Sequence, residues 1–292
     1  MGISRGGARF LLEEARHLPF SGTVLQLGRQ HLFITQAELD LLAALHAAKL
    51  KRDISPENIF KPLLDPSYLD DGSFFSELGF STVESMDYSD FEQATYVHDL
   101  NKPIPEALSG RFDMIYDGGT IEHVFDIRSS LRNIFEMLKI GGRIIHSSPS
   151  SNHVDHGFYM FSPTLFYDYY MANNFIIHEC QIFLYSVDHN NKPWLIFDYE
   201  PGSLEGLAFG GFNTGHLVGI YISAEKTAES TCDVIPQQGM YVKKWGDGQH
   251  GGGIRLRRPR KPQVVNETRN KLVPKIFRRK KRLKIPNKVA EY

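Results

Sequence analysis

Two short stretches of this chain gather side chains able to move a proton. "IEHVF" holds Glu122 and His123, and "SSNHVDHGFYMFSP" holds His153, Asp155 and His156. An imidazole set beside a hydroxyl can act as its general base, so His123, His153 and His156 are candidate catalytic residues. A histidine at such a place is equally often a hydrogen-bonded structural residue. His153, Asp155 and His156 also have the look of metal ligands, but they supply three with no fourth, and no metal is expected. A second group is acidic: Asp87, Asp99 and Asp117 each close a short apolar run. Carboxylates at strand ends can accept hydrogen bonds from a ligand, and can as readily cap helices and turns.

The elements that must position these groups are legible in part. Thr23 to Leu27, inside "VLQLGRQ", reads as a strand, with Gly28 where the chain turns. After "GRQHLFI", Thr35 and Glu38 form a capping box, and Leu39, Leu42, Ala43 and His46 share one helical face, where His46 reads as a tolerated face residue. "STVESMD", "TYVHDLN", "FDMIYDGG" and "GRIIHSSP" read as strands ending at Asp87, Asp99, Asp117 and near Ser147. Between the last two, Ile127, Leu131, Ile134, Phe135 and Leu138 recur at helical spacing, with Asp126 as the cap and Gly141 and Gly142 as the end. Ser162 and Pro163 open another helix, followed by "FIIHECQIFLYS" and "LVGIYISAE" as strands. Tyr159, Phe161, Phe166, Tyr167, Tyr169 and Tyr170 are mostly core or helix-face aromatics. This alternation predicts a doubly wound α/β sheet, whose ligands bind at the carboxyl-terminal strand edge.

Charge divides the chain. Residues 1 to 250 carry 18 Lys and Arg against 32 Asp and Glu, while residues 251 to 292 carry 15 against 2. The expected organisation is an α/β domain over residues 1–229 and a linker with a basic, flexible tail over 230–292, "GDGQHGGG" being the linker. The tail's "RLRRPRK" and "KIFRRKKRLK" fit a peripheral contact with anionic membrane, or a solvated segment lying on the acidic body. Nucleic acid is the less favoured partner, for want of an RNA-binding motif. No apolar run reaches the ~18 residues of a bilayer span, and Glu13 and Glu14 stand where a signal peptide would be apolar. Cys180 and Cys232 match no zinc or redox spacing and read as thiols in a reducing compartment, so a cytoplasmic location is expected and the sequon at Asn266 is taken as chance. Oligomeric state leaves no signal.

A dinucleotide site would need G-x-G-x-x-G and an acid about 20 residues onward. Here Gln30 and Leu32 replace later glycines, and Asp87 lies 59 residues after Gly28. A P-loop is also absent. The ordered series "VLQLGRQ", "VESMDYS", "HDLN", "FDMIYDGGTIEHVFD" and "LKIGGRIIHSSP" resembles class I S-adenosylmethionine-dependent methyltransferases over residues 20 to 225, with a degenerate first glycine motif. "IYDGGTIEHV" is its most specific piece. The resemblance implies a mostly parallel seven-stranded sheet with "LVGIYIS" as its antiparallel seventh strand, and S-adenosyl-L-methionine as cofactor. It places Gly28 against the methionine part, Asp87 on the ribose, Asp99 and Leu100 at the adenine edge, and Asp117 with Gly118 against the cofactor from the fourth strand. Gln26 stands where the family has an acid and would supply a neutral acceptor. Glu122 and His123 take positioning roles in the family, and His123 would lie near the sulfonium. The implied activity is methyl transfer, with a small molecule, sugar or glycan precursor as acceptor at oxygen. The alternative is a non-catalytic binding protein on the same fold.

Overall fold

The computed structural model describes residues 2–53, 65–186, 193–204, 215–245 and 288–291. In chain order the elements are β1 (Gly2–Ile3), α1 (Arg5–His17), β2 (Thr23–Leu27), β3 (His31–Leu32), α2 (Gln36–Leu45), α3 (Asp71–Leu78), β4 (Thr82–Asp87), β5 (Tyr96–Val97), β6 (Phe112–Asp117), α4 (Ile127–Met137), β7 (Leu138–Ser151), α5 (Pro163–Ala172), β8 (Ile176–Tyr185), β9 (Leu195–Asp198), β10 (Leu217–Glu225), α6 (Gly239–Trp245) and β11 (Lys288–Glu291). The main sheet has the order β11-β9-β8-β10-β7-β6-β2-β4-β5. From β5 to β7 neighbouring strands are parallel. β10 then runs antiparallel between β7 and β8.

The seven strands implied by the resemblance are therefore present, with "LVGIYIS" reversed as anticipated. Two more, β9 and β11, extend the far edge as antiparallel additions. The sheet has nine strands among the described residues, not seven.

Period-two alternation sends adjacent residues to opposite cores. Val24, Met114 and Ile145 face one core with Phe10, Leu11, Phe74 and Phe75, whereas Leu25, Ile115 and Ile144 face another with Ile134, Phe166 and Tyr170. Helices α1, α2 and α3 thus cover one face, and α4 and α5 cover the other. Phe161, Phe166, Tyr167, Tyr169 and Tyr170 are core residues. Helix α1 is bound by charge as well as packing: Arg143 Nη1 and Ser223 Oγ both donate to Glu14 Oε1, at 2.8 and 2.7 Å.

Several local expectations hold. Thr35 and Glu38 form the capping box of α2, Asp126 accepts from Ser129 N at the start of α4, and Pro163 opens α5. Others need correction. Helix α4 ends at Met137, and Gly141 and Gly142 lie inside β7, because Leu138 already pairs with Phe112. Strand β5 stops at Val97, leaving Asp99 in the following turn. The "GDGQHGGG" linker, the sequon at Asn266 and both basic runs lie outside the described residues. Past residue 229 the chain still packs on the body: Thr231 N donates to Asn173 O, and Gly239 N to Asp168 Oδ2. Cys180 and Cys232 are free thiols, and no described helix is long and apolar enough to cross a membrane.

Candidate functional site

The carboxyl-terminal ends of β2, β4 and β6 meet at one edge. Gly28 leaves β2 with φ of 65°, in the left-handed region that favours glycine. A Cβ there would sit 2.6 Å from Thr120 Oγ1 and 3.8 Å from Asp87 Oδ2, so β2, β4 and the loop after β6 converge on this one residue. The Gly28 amide donates to Met86 O at 2.7 Å, and Thr120 Oγ1 donates to Leu27 O at 2.5 Å.

Beyond Gly28 the chain does not enter a helix. It forms β3, which pairs in parallel with β1, and α2 begins only at Gln36. The chain that follows Gly28 therefore brings no helix N-terminus directly to it. Side chains knit the loop instead. Gln30 N donates to Gln26 Oε1, Gln26 Nε2 to Asp71 Oδ2, and Arg29 Nη2 to Asp71 Oδ1, at 3.0, 2.8 and 2.8 Å. Both ends of the buried Gln26 amide are thus used within the protein. Gln30 folds back, its Nε2 donating to Leu27 O and Gly28 O at 3.1 and 3.0 Å. Its Oε1 is buried with no donor and lies against Gly118, where any side chain would collide with it.

Asp87 keeps Oδ2 toward this loop while Oδ1 accepts a long bond from Ser89 N, at 3.4 Å. Asp99 instead closes a turn, Oδ1 accepting from Asn101 Nδ2 and N at 2.8 and 3.0 Å, and these bonds hold its carboxyl below the usual range. Leu100 is buried, and its carbonyl accepts from Asn133 Nδ2 of α4 at 3.1 Å.

Asp117 is wholly buried, with both oxygens engaged. Oδ1 accepts from Thr120 N and Ile121 N, at 2.9 and 3.3 Å, which caps the 3-10 turn Ile121–His123. Oδ2 lies 2.6 Å from His146 Nδ1, and His146 Nε2 lies 2.7 Å from Tyr170 OH. This Asp117–His146–Tyr170 chain escapes sequence reasoning because His146 sits mid-strand and Tyr170 looks like any helix-face aromatic. Its geometric effect is to fix the turn that carries Glu122 and His123.

Glu122 is 0% exposed, and neither of its carboxylate oxygens has a hydrogen-bond partner. Burial, and then the charge of Asp117, push its carboxyl up to about 8. Around it stand His156 Nε2 at 3.5 Å and His123 Nε2 at 3.9 Å, with the two rings 5.0 Å apart. Burial, followed by the neighbouring His156, draws the His123 imidazole below its ordinary value. Gly157 lets the second loop approach: a Cβ there would lie 3.0 Å from Glu122 O and 3.2 Å from His123 Nδ1. His153 stands farther off, its Nε2 3.3 Å from Tyr185 OH. Three of the four candidate catalytic residues thus form one cluster, with His153 at its margin and Asp155 outside it. Phe125, Val154, Phe158 and Met160 are exposed in the same two loops.

No family model matches the chain, and no curated protein matches it. Among solved structures, the YcgJ protein of Bacillus subtilis is 12% identical, over 76% of this chain and 99% of that one, with a TM-score of 0.40. Geranyl diphosphate C-methyltransferase of Streptomyces coelicolor, in complex with Mg2+, geranyl diphosphate and S-adenosyl-L-homocysteine, is 15% identical over 76% and 80%, with a TM-score of 0.39. Phosphoethanolamine N-methyltransferase 2 of Haemonchus contortus, in complex with S-adenosyl-L-methionine, is 11% identical over 76% and 57%, with a TM-score of 0.36. Likenesses of this size carry no argument, and the fold is read from the sheet itself. Counted along the chain from β2 and leaving out the edge additions, the strands lie in the order third, second, first, fourth, fifth, seventh, sixth, with only the seventh reversed. That order gives this chain the fold of the class I S-adenosylmethionine-dependent methyltransferases.

Proposed function

We propose that the chain is an S-adenosylmethionine-dependent methyltransferase that methylates an oxygen of a small molecule, sugar or glycan precursor. One observation carries the reading: a single strand edge sets Gly28, Asp87 and the donor-less Gln30 Oε1 beside the turn that presents Glu122 and His123. The residues fit the cofactor at two points. Asp87 offers a carboxylate to a ribose diol, and Gln30 Oε1 is a buried acceptor for an ammonium. S-adenosylmethionine, when bound, supplies an electrophilic methyl group on a sulfonium. The chain's own work is then alignment and proton removal.

Burial, and then His156, lower the affinity of His123 for a proton, which favours the neutral imidazole that accepts one from an acceptor hydroxyl. His156 is its alternate across the cluster. The exposed Phe125, Phe158 and Met160 form an apolar rim, as suits the flat face of a sugar or ring. Calorimetric titration of the full chain with S-adenosylmethionine and S-adenosylhomocysteine tests the reading, with saturable heat expected for both.

A second reading, a non-catalytic binding protein on this fold, is favoured by the way Gln30 fills the space beside Gly118. Absence of heat with both ligands would establish it over the first. For the basic tail we propose a peripheral contact with anionic membrane. The full chain should co-sediment with phosphatidylserine vesicles at low salt and be released at high salt, as screening requires.

A further inference from the structure

The Glu122 carboxylate raises a problem that catalysis by histidine alone does not solve. Both of its oxygens are shut away from water with no donor. Buried polar groups without partners are rare, and a carboxyl group is costly to leave so in either protonation state. The groups facing it are the Nε2 atoms of His156 and His123, at 3.5 and 3.9 Å, too far for good hydrogen bonds.

We propose that Glu122, His123 and His156 form a binding site for a first-row divalent cation, with coordination positions left open toward the acceptor. One ligand atom from each of the three lies within 4.8 Å of the others. Ligands at about 2.1 Å from a shared ion stand roughly 3.0–3.4 Å apart, so closing the site shortens the widest pair by at most roughly 1.4–1.8 Å. Glu122 and His123 share the 3-10 turn, so the closure falls to rotation of the two exposed imidazoles and to the loop that carries His156. Two imidazoles and one carboxylate suit Mn2+, Fe2+, Co2+ or Zn2+ better than Ca2+. Three protein ligands with an open side are the pattern of a catalytic rather than a structural site. Asp117 takes a supporting part, since its carboxylate caps the turn that presents two of the three ligands.

The cation's use rests on the methyltransferase reading. With both imidazoles serving as ligands rather than bases, an acceptor hydroxyl bound to the ion gives up its proton to solvent, and its oxygen takes the methyl group from the sulfonium, which leaves as the neutral thioether. The site itself rests only on the three ligands.

The test is calorimetry and Mn2+ electron paramagnetic resonance on chelator-treated, full-length protein, titrated with MnCl2 and separately with ZnCl2. Wild type should bind one equivalent, and Glu122→Gln and His156→Ala should each weaken binding by about 10–100-fold or more. Asp155→Asn, outside the cluster, should bind as wild type does. S-adenosylhomocysteine titration of the same samples keeps the two readings apart: metal binding without cofactor binding sinks the methyltransferase reading and leaves the site standing. Wild type that takes up neither ion, or folded Glu122→Gln and His156→Ala that both bind as tightly as wild type, would overturn the site. Loss of binding in Asp155→Asn alone would move it to the loop and overturn it equally.

Discussion

The two sides of this strand edge are built on opposite plans. At the end of β2 the loop has exchanged glycines for side chains, and Gln26, Arg29, Asp71 and the Gln30 amides are joined in one network, with Gln30 Oε1 the atom it leaves without a donor. At the end of β6 the arrangement is the reverse: Asp117 is fully engaged, but the Glu122 it helps to present is buried with nothing to bind. A loop that loses glycine can recover stability from hydrogen bonds. A buried carboxylate without partners costs stability, and a fold keeps such a group where a ligand repays it.

The strongest challenge to this contrast is to open the closed side. Asp71→Ala removes the carboxylate shared by Gln26 and Arg29, and should lower unfolding free energy by about 3–5 kcal/mol in urea denaturation, as expected for a broken buried ion pair. A loss under 1 kcal/mol would mean that the loop is held by β1 and β3 pairing alone.

The open side should show itself through pH. Glu122 binds its proton more tightly in the folded chain, with a value of about 8 against an ordinary 4.5. Between those values the unfolded state is ionised while the folded state keeps its proton, so stability should fall as pH rises from about 4.5 to about 8. In chelator-treated protein the loss should reach on the order of a few kcal/mol, and Glu122→Gln should flatten the profile. Equal slopes in the two proteins would show that the carboxylate has partners in solution.

Smaller effects refine the roles. Removing the working base, by His123→Ala or His156→Gln, should slow turnover roughly 100-fold, and two fully active variants would leave alignment as the whole of catalysis. Asp87→Ala should weaken S-adenosylhomocysteine binding about tenfold, with unchanged affinity taking Asp87 out of the site.

How much of this was legible in the sequence follows from the range of the interactions. Thr35 with Glu38, and Asp126 with Ser129, are contacts three residues apart, and both were readable. Asp87 and Asp117 were readable as strand ends because apolar runs lead into them, whereas Asp99 falls past the two-residue β5. Helix α3 was not: "DGSFFSEL" is eight residues with a glycine near its start, and its role comes from Asp71 meeting Arg29 across 42 positions. Strands β9 and β11, at four residues each, carry too little pattern to be told from loop. The cluster was half legible. His123 and His156 were singled out by type, but that Glu122 lies buried between them depends on Gly157 admitting one loop to the other. Likewise His146 gains its place only through Asp117 and Tyr170, 29 positions before it and 24 after.

Helix α1 carries a consequence for synthesis. Glu14 receives its hydrogen bond from Ser223, 209 positions later, and Phe10 stacks on Tyr221 at 4.3 Å. Ribosomes add about 5–20 residues per second, so α1 leaves the exit tunnel roughly 10–40 s before the strand it docks on. Throughout that interval Phe10, Leu11 and Leu12 have no finished surface to cover them. The apolar face of α1 therefore waits for β10, and insertion of the reversed strand completes the surface on which the first helix docks.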